Sequence, residues 1–332
     1  MSETAAAQEQ NSVRQAMYLQ AIVEAQVEEM ERDETVIMMG EDLSVFGDGT
    51  LVQRFGPKRV WNTPISELGF TGLAVGAAMT GLRPIVNLSI GSFLFLASDQ
   101  IINQAAKIRY MTGGQMKVPV VFRCSLYYDR AIAAQHSDRP YSMFMNVPGL
   151  KIICAAGAAD MKGLMKSAIR DDDPVLVFED ARLWPAKEVV PTDPDFLVPI
   201  GKAAVVRPGS DVTVVAIAGA MKPTLEAAEE LAKEGVSLEV IDPRTLKPLD
   251  LETIFASLAK TGRLVLVENA HRICSATSEI AAAAAIEAFD LLRKPIVQVA
   301  APDVHVPFSP ALEKLLYPTR ETIVEAVRRV LG

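Results

Sequence analysis

Short apolar runs alternate along the chain with stretches whose apolar residues recur every three or four positions. In the first half, residues 35–39, 84–89, 118–123, 150–154 and 174–178 are compact apolar runs of strand length, which is how a strand buried on both faces reads. Between them the spacing predicts helices over 69–82, 93–110 and 159–170. Residues 12–15 (SVRQ) have the form of a capping box and predict a helix from there to about Arg32. Strands alternating with helices need crossover connections, so the sheet is expected to be mainly parallel.

A break follows at 185–200, where Pro185, Pro191, Pro194 and Pro199 interrupt the apolar pattern; such a stretch reads as an interdomain linker. Alternation resumes at 211–216, 223–233, 237–241, 263–268, 276–292 and 296–299. The expected organisation is a polar tail over 1–11, one α/β domain over 12–184, the linker, and a second α/β domain over 201–332. Each is expected to be a three-layer unit with a mainly parallel sheet. A length of 332 residues suits two domains.

Composition narrows the function. A net charge of -8 argues against a nucleic-acid backbone as the main partner, because phosphate contacts need a basic surface. Cys124, Cys154 and Cys274 stand alone with no CxxC spacing, so neither a structural zinc nor a disulfide framework is suggested. The opening residues lack a basic segment followed by an apolar one, and the apolar stretch 281–285 is short and flanked by Glu279 and Glu287. A soluble, cytoplasmic protein is the expectation.

Three places can carry chemistry. Glu67, between a proline-bearing turn and an apolar helix, is either a partly buried carboxyl able to hold a proton near neutrality or an acidic first-turn residue complementing the helix dipole. His136 sits in a loop after a predicted strand, where open α/β sheets place ligands, or is a satisfied, half-buried histidine. Residues 168–174 (AIRDDDP) are either a cation site built from hard oxygens or a solvated acidic turn. Gly47-Asp-Gly49 reads as a turn, because no asparagine follows at the spacing that would let it hold a metal and a diphosphate. His271 and His305 have no second ligand at metal-like spacing. The small residues of 69–81 (GFTGLAVGAAMTG) fit tight packing inside the domain or against another subunit.

Several of these segments, in one order, resemble the beta subunits of pyruvate, acetoin and branched-chain 2-oxo acid dehydrogenases. The segments are 62–100 (NTPISELGFTGLAVGAAMTGLRPIVNLSIGSFLFLASDQ), 103–114 (NQAAKIRYMTGG), 133–137 (AAQHS), 148–174, 240–249 (VIDPRTLKPL) and 301–330. The resemblance implies a transketolase-type pyrimidine-binding domain followed by a transketolase C-terminal domain. It also implies thiamin diphosphate shared with an alpha subunit, Mg2+ held by that alpha subunit, and an alpha2beta2 heterotetramer with beta–beta contacts that delivers its acyl group to a lipoyl acyltransferase. Carried over by position, Glu67 matches the glutamate that meets N1′ of the aminopyrimidine, Phe93 an aromatic stacked on that ring, and His136 a histidine at the substrate and lipoyl entry. Val120, Ala168, Ile169, Asp171 and Asp173 match a structural potassium site.

This chain also departs from the pattern. The loop before AAQHS, usually glycine-rich, reads CSLYYDRAI over 124–132. Gly91 stands where many members have an aromatic, and Asn87 where many have an acid. Two other readings fit: half of a split transketolase, for which Arg130 and Arg139 offer charge for a sugar phosphate, and a scaffold homologue without catalysis.

Overall fold

The computed structural model describes residues 13–43 and 49–332, which fall into two compact units. The first comprises residues up to Ser125, Val147–Ile153 and Gly157–Ile200; the second comprises Leu126–Asn146, Cys154–Ala156 and Gly201–Gly332. The second unit therefore takes in a segment, 126–146, that the linear reading put in the first domain.

In the first unit, strands β1 (Val13–Met17), β2 (Val36–Gly40), β3 (Val60–Asn62), β4 (Arg83–Ile90), β5 (Val121–Leu126), β6 (Lys151–Ile153), β7 (Val175–Asp180) and β8 (Lys187–Pro191) accompany the helices α1 (Tyr18–Arg32), α2 (Gly49–Phe55), α3 (Glu67–Met79), α4 (Leu94–Asp99) and α5 (Ala106–Met111). The second unit supplies α6 (Tyr141–Met145), and the first adds α7 (Ala158–Arg170). Six of these strands are consecutive in one sheet, in the order β6-β7-β5-β4-β2-β3, and β2–β3, β2–β4, β4–β5 and β6–β7 pair in parallel. β2, β5 and β7 are buried at every position, as expected of strands covered on both faces.

α1 lies along α7, joined by ion pairs from buried Lys162 and Lys166 to Glu28 at 2.7 and 2.8 Å and from Arg170 to Glu29 at 2.7 Å. The capping-box helix begins later than its pattern predicts. Val13–Met17 is a strand paired antiparallel with β8, and Ser12 lies outside the described residues. The expected linker is therefore bound structure. Besides β8, it packs Phe196 and Val198 so closely on α7 that a Cβ on Gly163 would come within 2.6 Å of the Val198 side chain.

The second unit holds β9 (Ala204–Arg207), β10 (Val212–Ala216), β11 (Leu238–Asp242), the short β12 (Thr245–Lys247), β13 (Leu264–His271) and β14 (Val297–Ala301). It also holds α8 (Met221–Ala232), α9 (Leu251–Thr261), α10 (Ala276–Glu287), α11 (Pro310–Glu313) and α12 (Arg320–Leu331). Its sheet runs β14-β13-β10-β11-β9, parallel except for the edge strand β9. Val215, Ile241, Leu264 and Leu266 pack against Ile254 and Leu258 of α9 and Ile280 and Ala284 of α10. α9 is delimited as its sequence dictates. Asp250 accepts the Thr253 amide at its start, and Gly262, at φ +71°, takes the left-handed cap at its end. Among the described residues no helix is long and apolar enough to cross a membrane.

Candidate active site

The first unit gathers its chemistry at the carboxyl edge of the parallel strands. Gly40, the last residue of β2, pairs with Asn62 on one side and Asn87 on the other. It comes so near β4 that a Cβ there would lie 2.4 Å from the Asn87 carbonyl. This close approach requires glycine. The chain then turns through Glu41 and Asp42, the latter at φ 49°, and Leu43 donates its amide to Asn62 Oδ1 at 2.9 Å. From β3 the chain passes through the Pro64 turn into α3, whose first residue is Glu67.

Glu67 is 6% exposed and Glu41 4% exposed. Burial, the negative charge of Glu67 and that of Asp42 together push the Glu41 carboxyl up to about 7. Glu41 Oε2 is buried without a hydrogen-bond partner, as are the hydroxyls of Thr63 and Thr71. Two neighbouring buried carboxyls, with an oxygen left unanswered, form a site that can hold a proton and accept a hydrogen bond from a bound group. Phe93 ends the 3-10 turn Gly91–Phe93 directly after β4 and is half-buried. Glu67 and Phe93 therefore flank the same strand edge.

His136 belongs to the second unit. It closes the 3-10 turn Ala134–His136 and is half-buried. The loop leading to it lacks glycine yet adopts glycine-like geometry: Asp129, Ala131 and Ala133 have φ of 54°, 55° and 61°. Ala133, at ψ -168°, occupies a region nearly reserved for glycine, and each such residue costs about 1–3 kcal/mol and persists only where its surroundings impose it. The surroundings here are specific. The Arg139 guanidinium stacks over Tyr128 at 4.4 Å and Tyr317 at 5.2 Å, and Tyr141 donates its hydroxyl to buried Glu268 at 2.6 Å. Burial and the Glu268 charge raise the Tyr141 phenol well above its ordinary value.

The expected cation ligands lie around the end of α7 and the residue before β5. β5 starts beside the end of α7, with the Val118 amide on the Asp172 carbonyl at 3.2 Å. The carbonyls of Val120, Ala168, Ile169 and Asp171 each already accept a hydrogen bond. The Val175 amide donates to Val120 O at 3.0 Å, and the Asp171 amide to Ala168 O at 3.3 Å. Arg83 donates to the carbonyls of Ile169 and Asp171 at 3.0 and 2.8 Å. The carboxylates are likewise engaged: Lys151 with Asp171 at 2.6 Å, Lys117 and Arg83 with Asp172 at 2.6 and 2.8 Å, and Arg109 with Asp173 at 2.5 Å. The hydrogen bond from Lys117, with that from Arg83, holds the Asp172 carboxyl below its ordinary range. The acidic turn is thus a network of paired charges, and a cation there would use the second lone pairs of the carbonyls. Among the described residues no three His, Cys, Asp or Glu side chains cluster as a metal site. Of Gly47-Asp-Gly49, only Gly49 lies within the described residues, as the first residue of α2.

Sequence reasoning missed Glu41, and it missed Glu313, whose buried carboxylate accepts the amides of Asp129 and Ala131. Neither residue stands in a local pattern that announces it, since both roles arise from pairing across the fold. α3 buries Glu67, Phe70, Thr71, Ala74, Val75 and Ala78. Its other face presents Leu68, Gly69, Leu73 and Gly76 to solvent, so only one face of the small-residue helix is used within the unit.

Residues 6–187 match the family described as transketolase, pyrimidine binding domain, and 201–323 match transketolase, C-terminal domain. The chain is 43% identical to the acetoin:2,6-dichlorophenolindophenol oxidoreductase subunit beta of Bacillus subtilis, covering 94% of this chain and 96% of that protein. It is 44% identical to the pyruvate dehydrogenase E1 component subunit beta of Rhizobium meliloti, covering 94% of this chain and 69% of the relative. Among solved structures, a split gene transketolase described as an inactive beta4 tetramer superposes with a TM-score of 0.78 at 26% identity, over 95% of this chain and 98% of that one.

Proposed function

Since this chain belongs to the family of pyruvate and acetoin dehydrogenase E1 beta subunits, built on transketolase pyrimidine-binding and C-terminal domains, we propose that it is the beta half of a thiamin-diphosphate-dependent 2-oxo acid or acetoin dehydrogenase, working with an alpha subunit. The buried Glu41–Glu67 pair at the strand edge carries this reading. An unanswered carboxyl oxygen beside a second buried carboxylate fits a ring that presents a protonatable nitrogen. When bound, the cofactor supplies a nucleophilic carbon and an electron sink for loss of carbon dioxide.

The chain's own residues bind and move protons. Glu67 holds the proton at N1′ of the aminopyrimidine. Glu41, with its carboxyl at about 7, keeps a second proton within the pair and so limits the negative charge buried there. Phe93 covers the ring with an apolar face, and His136 orients or protonates the substrate. The diphosphate and Mg2+ fall to the alpha subunit, and a lipoyl domain takes the acyl group. The exposed apolar face of α3 supports contact with a partner chain. A potassium ion at the carbonyls of Val120, Ala168, Ile169, Asp171 and Asp173 would tie β5 to the end of α7.

The test is co-expression with an alpha-type chain, followed by a screen of 2-oxo acids and acetoin with an artificial electron acceptor. Turnover should need both chains, and Glu67→Gln should abolish most of it while thiamin diphosphate still binds. Near-normal turnover in Glu67→Gln would reject the assigned role. Activity only on sugar phosphates would favour the split-transketolase reading, to which the identity of 26% lends less support than 43–44% lends to the dehydrogenases.

A further inference from the structure

We propose that Glu313 is a positioning residue of the active site, holding the left-handed kink at residues 129–131 and thereby setting the place of His136. The inference rests on the reading that His136 faces the 2-oxo substrate.

Glu313, the last residue of α11, is fully buried. Each of its carboxylate oxygens takes one backbone amide of the loop, Asp129 N on Oε1 at 2.5 Å and Ala131 N on Oε2 at 2.9 Å. A buried carboxylate needs such donors, and a backbone amide enclosed with it needs such an acceptor. The two amides belong to residues at φ 54° and 55°. Alanine leaves that conformation unless something outside the loop enforces it, whereas aspartate tolerates it better than most residues. Where a glycine would adopt the turn freely, this chain relies on the clamp.

The constraint passes directly along the chain to the histidine. Two residues beyond Ala131 comes Ala133, also left-handed at φ 61°. Its carbonyl accepts the Ser137 hydroxyl at 2.7 Å, closing the short turn that carries His136. On the far side the segment is fixed by Arg139 between Tyr128 and Tyr317 and by Tyr141 on Glu268. His136 thus lies between two anchors, and Glu313 is the one that governs the strained side.

The decisive experiment uses the assembled alpha–beta enzyme carrying Glu313→Gln. Glutamine keeps the size of the side chain but offers an acceptor to only one of the two amides. Hydrogen exchange in a peptide spanning 126–137 should accelerate at least tenfold, and the His136 ring resonances should move. Turnover efficiency with the 2-oxo acid should fall at least tenfold. The double variant with His136→Asn should be no worse than His136→Asn alone, because both act through one group. Adding Ala131→Gly to Glu313→Gln should restore part of the lost efficiency, since glycine adopts the kink unaided. If Glu313→Gln does not fold, Glu313→Asp, which keeps the charge and withdraws it by one methylene, carries the same expectations.

Unchanged exchange and unchanged His136 resonances would overturn the proposal, and so would losses that simply add to those of His136→Asn. Should the wild-type assembly turn over no 2-oxo acid or acetoin, the functional reading fails separately. Exchange and the His136 resonances then still decide whether Glu313 sets the loop.

Discussion

A carboxyl that titrates near 7 inside the fold ties stability to pH in a definite direction. Glu41 has an ordinary value of 4.5 and is pushed up to about 7. Between those values the folded chain binds more protons at this group than the unfolded chain does, so stability falls as pH rises through the window and levels off above it. The difference is at most on the order of 3 kcal/mol, before solvent screening reduces it. Glu41→Gln, neutral at every pH, should remove that slope and raise stability above pH 7. Thermal unfolding midpoints of the two proteins should diverge from pH 5 to about 7 and keep a constant gap above that; curves parallel throughout would contradict the burial argument. Glu67 was legible as a candidate because the turn and apolar helix around it are local. Glu41 was not, because its burial comes from β2 lying against β4 at Gly40 and from its proximity to Glu67, and neither is written in the neighbouring residues.

At the scale of elements, close backbone approaches make sharper predictions than apolar contacts do. Gly149, at φ +88°, precedes β6 and lies so near the start of α5 that a Cβ would come within 2.1 Å of the Ala106 carbonyl. Gly149→Ala meets both a left-handed conformation and a backbone clash, and should cost about 2–4 kcal/mol, read as a lower unfolding midpoint. The acidic turn permits a second test. If a potassium ion uses the carbonyls around Ala168 and Asp171, potassium chloride should raise the unfolding midpoint above that in choline chloride of equal ionic strength, by mass action on the folded state. Equal midpoints would leave the turn to Arg83 and its neighbouring lysines alone.

The strands buried on both faces were legible to within a few residues, because continuous apolar runs have few other solutions. The helix expected over 93–110 is broken in the structure by a π turn, Gln100–Ala105. A single π turn sits between helical stretches on either side, so an apolar pattern read over the whole segment still reads as one helix. β1 and β8 were hidden for a different reason. They form a half-exposed two-stranded ribbon, and Pro191, at the end of β8, reads as linker although it sits at an edge that tolerates it.

For the molecule as a whole, the face of α3 turned away from its sheet matters most. Leu68 and Leu73 are 50% and 54% exposed, and Gly69 and Gly76 lie open between them on the same face. An apolar, nearly featureless helix face lets another backbone come close, and leaving it in water has no benefit to a lone chain. Gly76 isolates the question, because a Cβ there would meet nothing within 4 Å. Gly76→Arg should therefore leave the isolated chain as stable as before, or more so, since arginine favours a helix over glycine by up to about 1 kcal/mol. In the proposed assembly the same side chain would hold two surfaces apart and place a charge where the desolvation cost is high. Sedimentation velocity of the variant mixed with its alpha chain should show separate components where the wild type shows one complex, while the unfolding midpoint of the lone chain stays put. A complex that forms with undiminished affinity would mean that α3 faces solvent in the working enzyme and that the partner docks elsewhere.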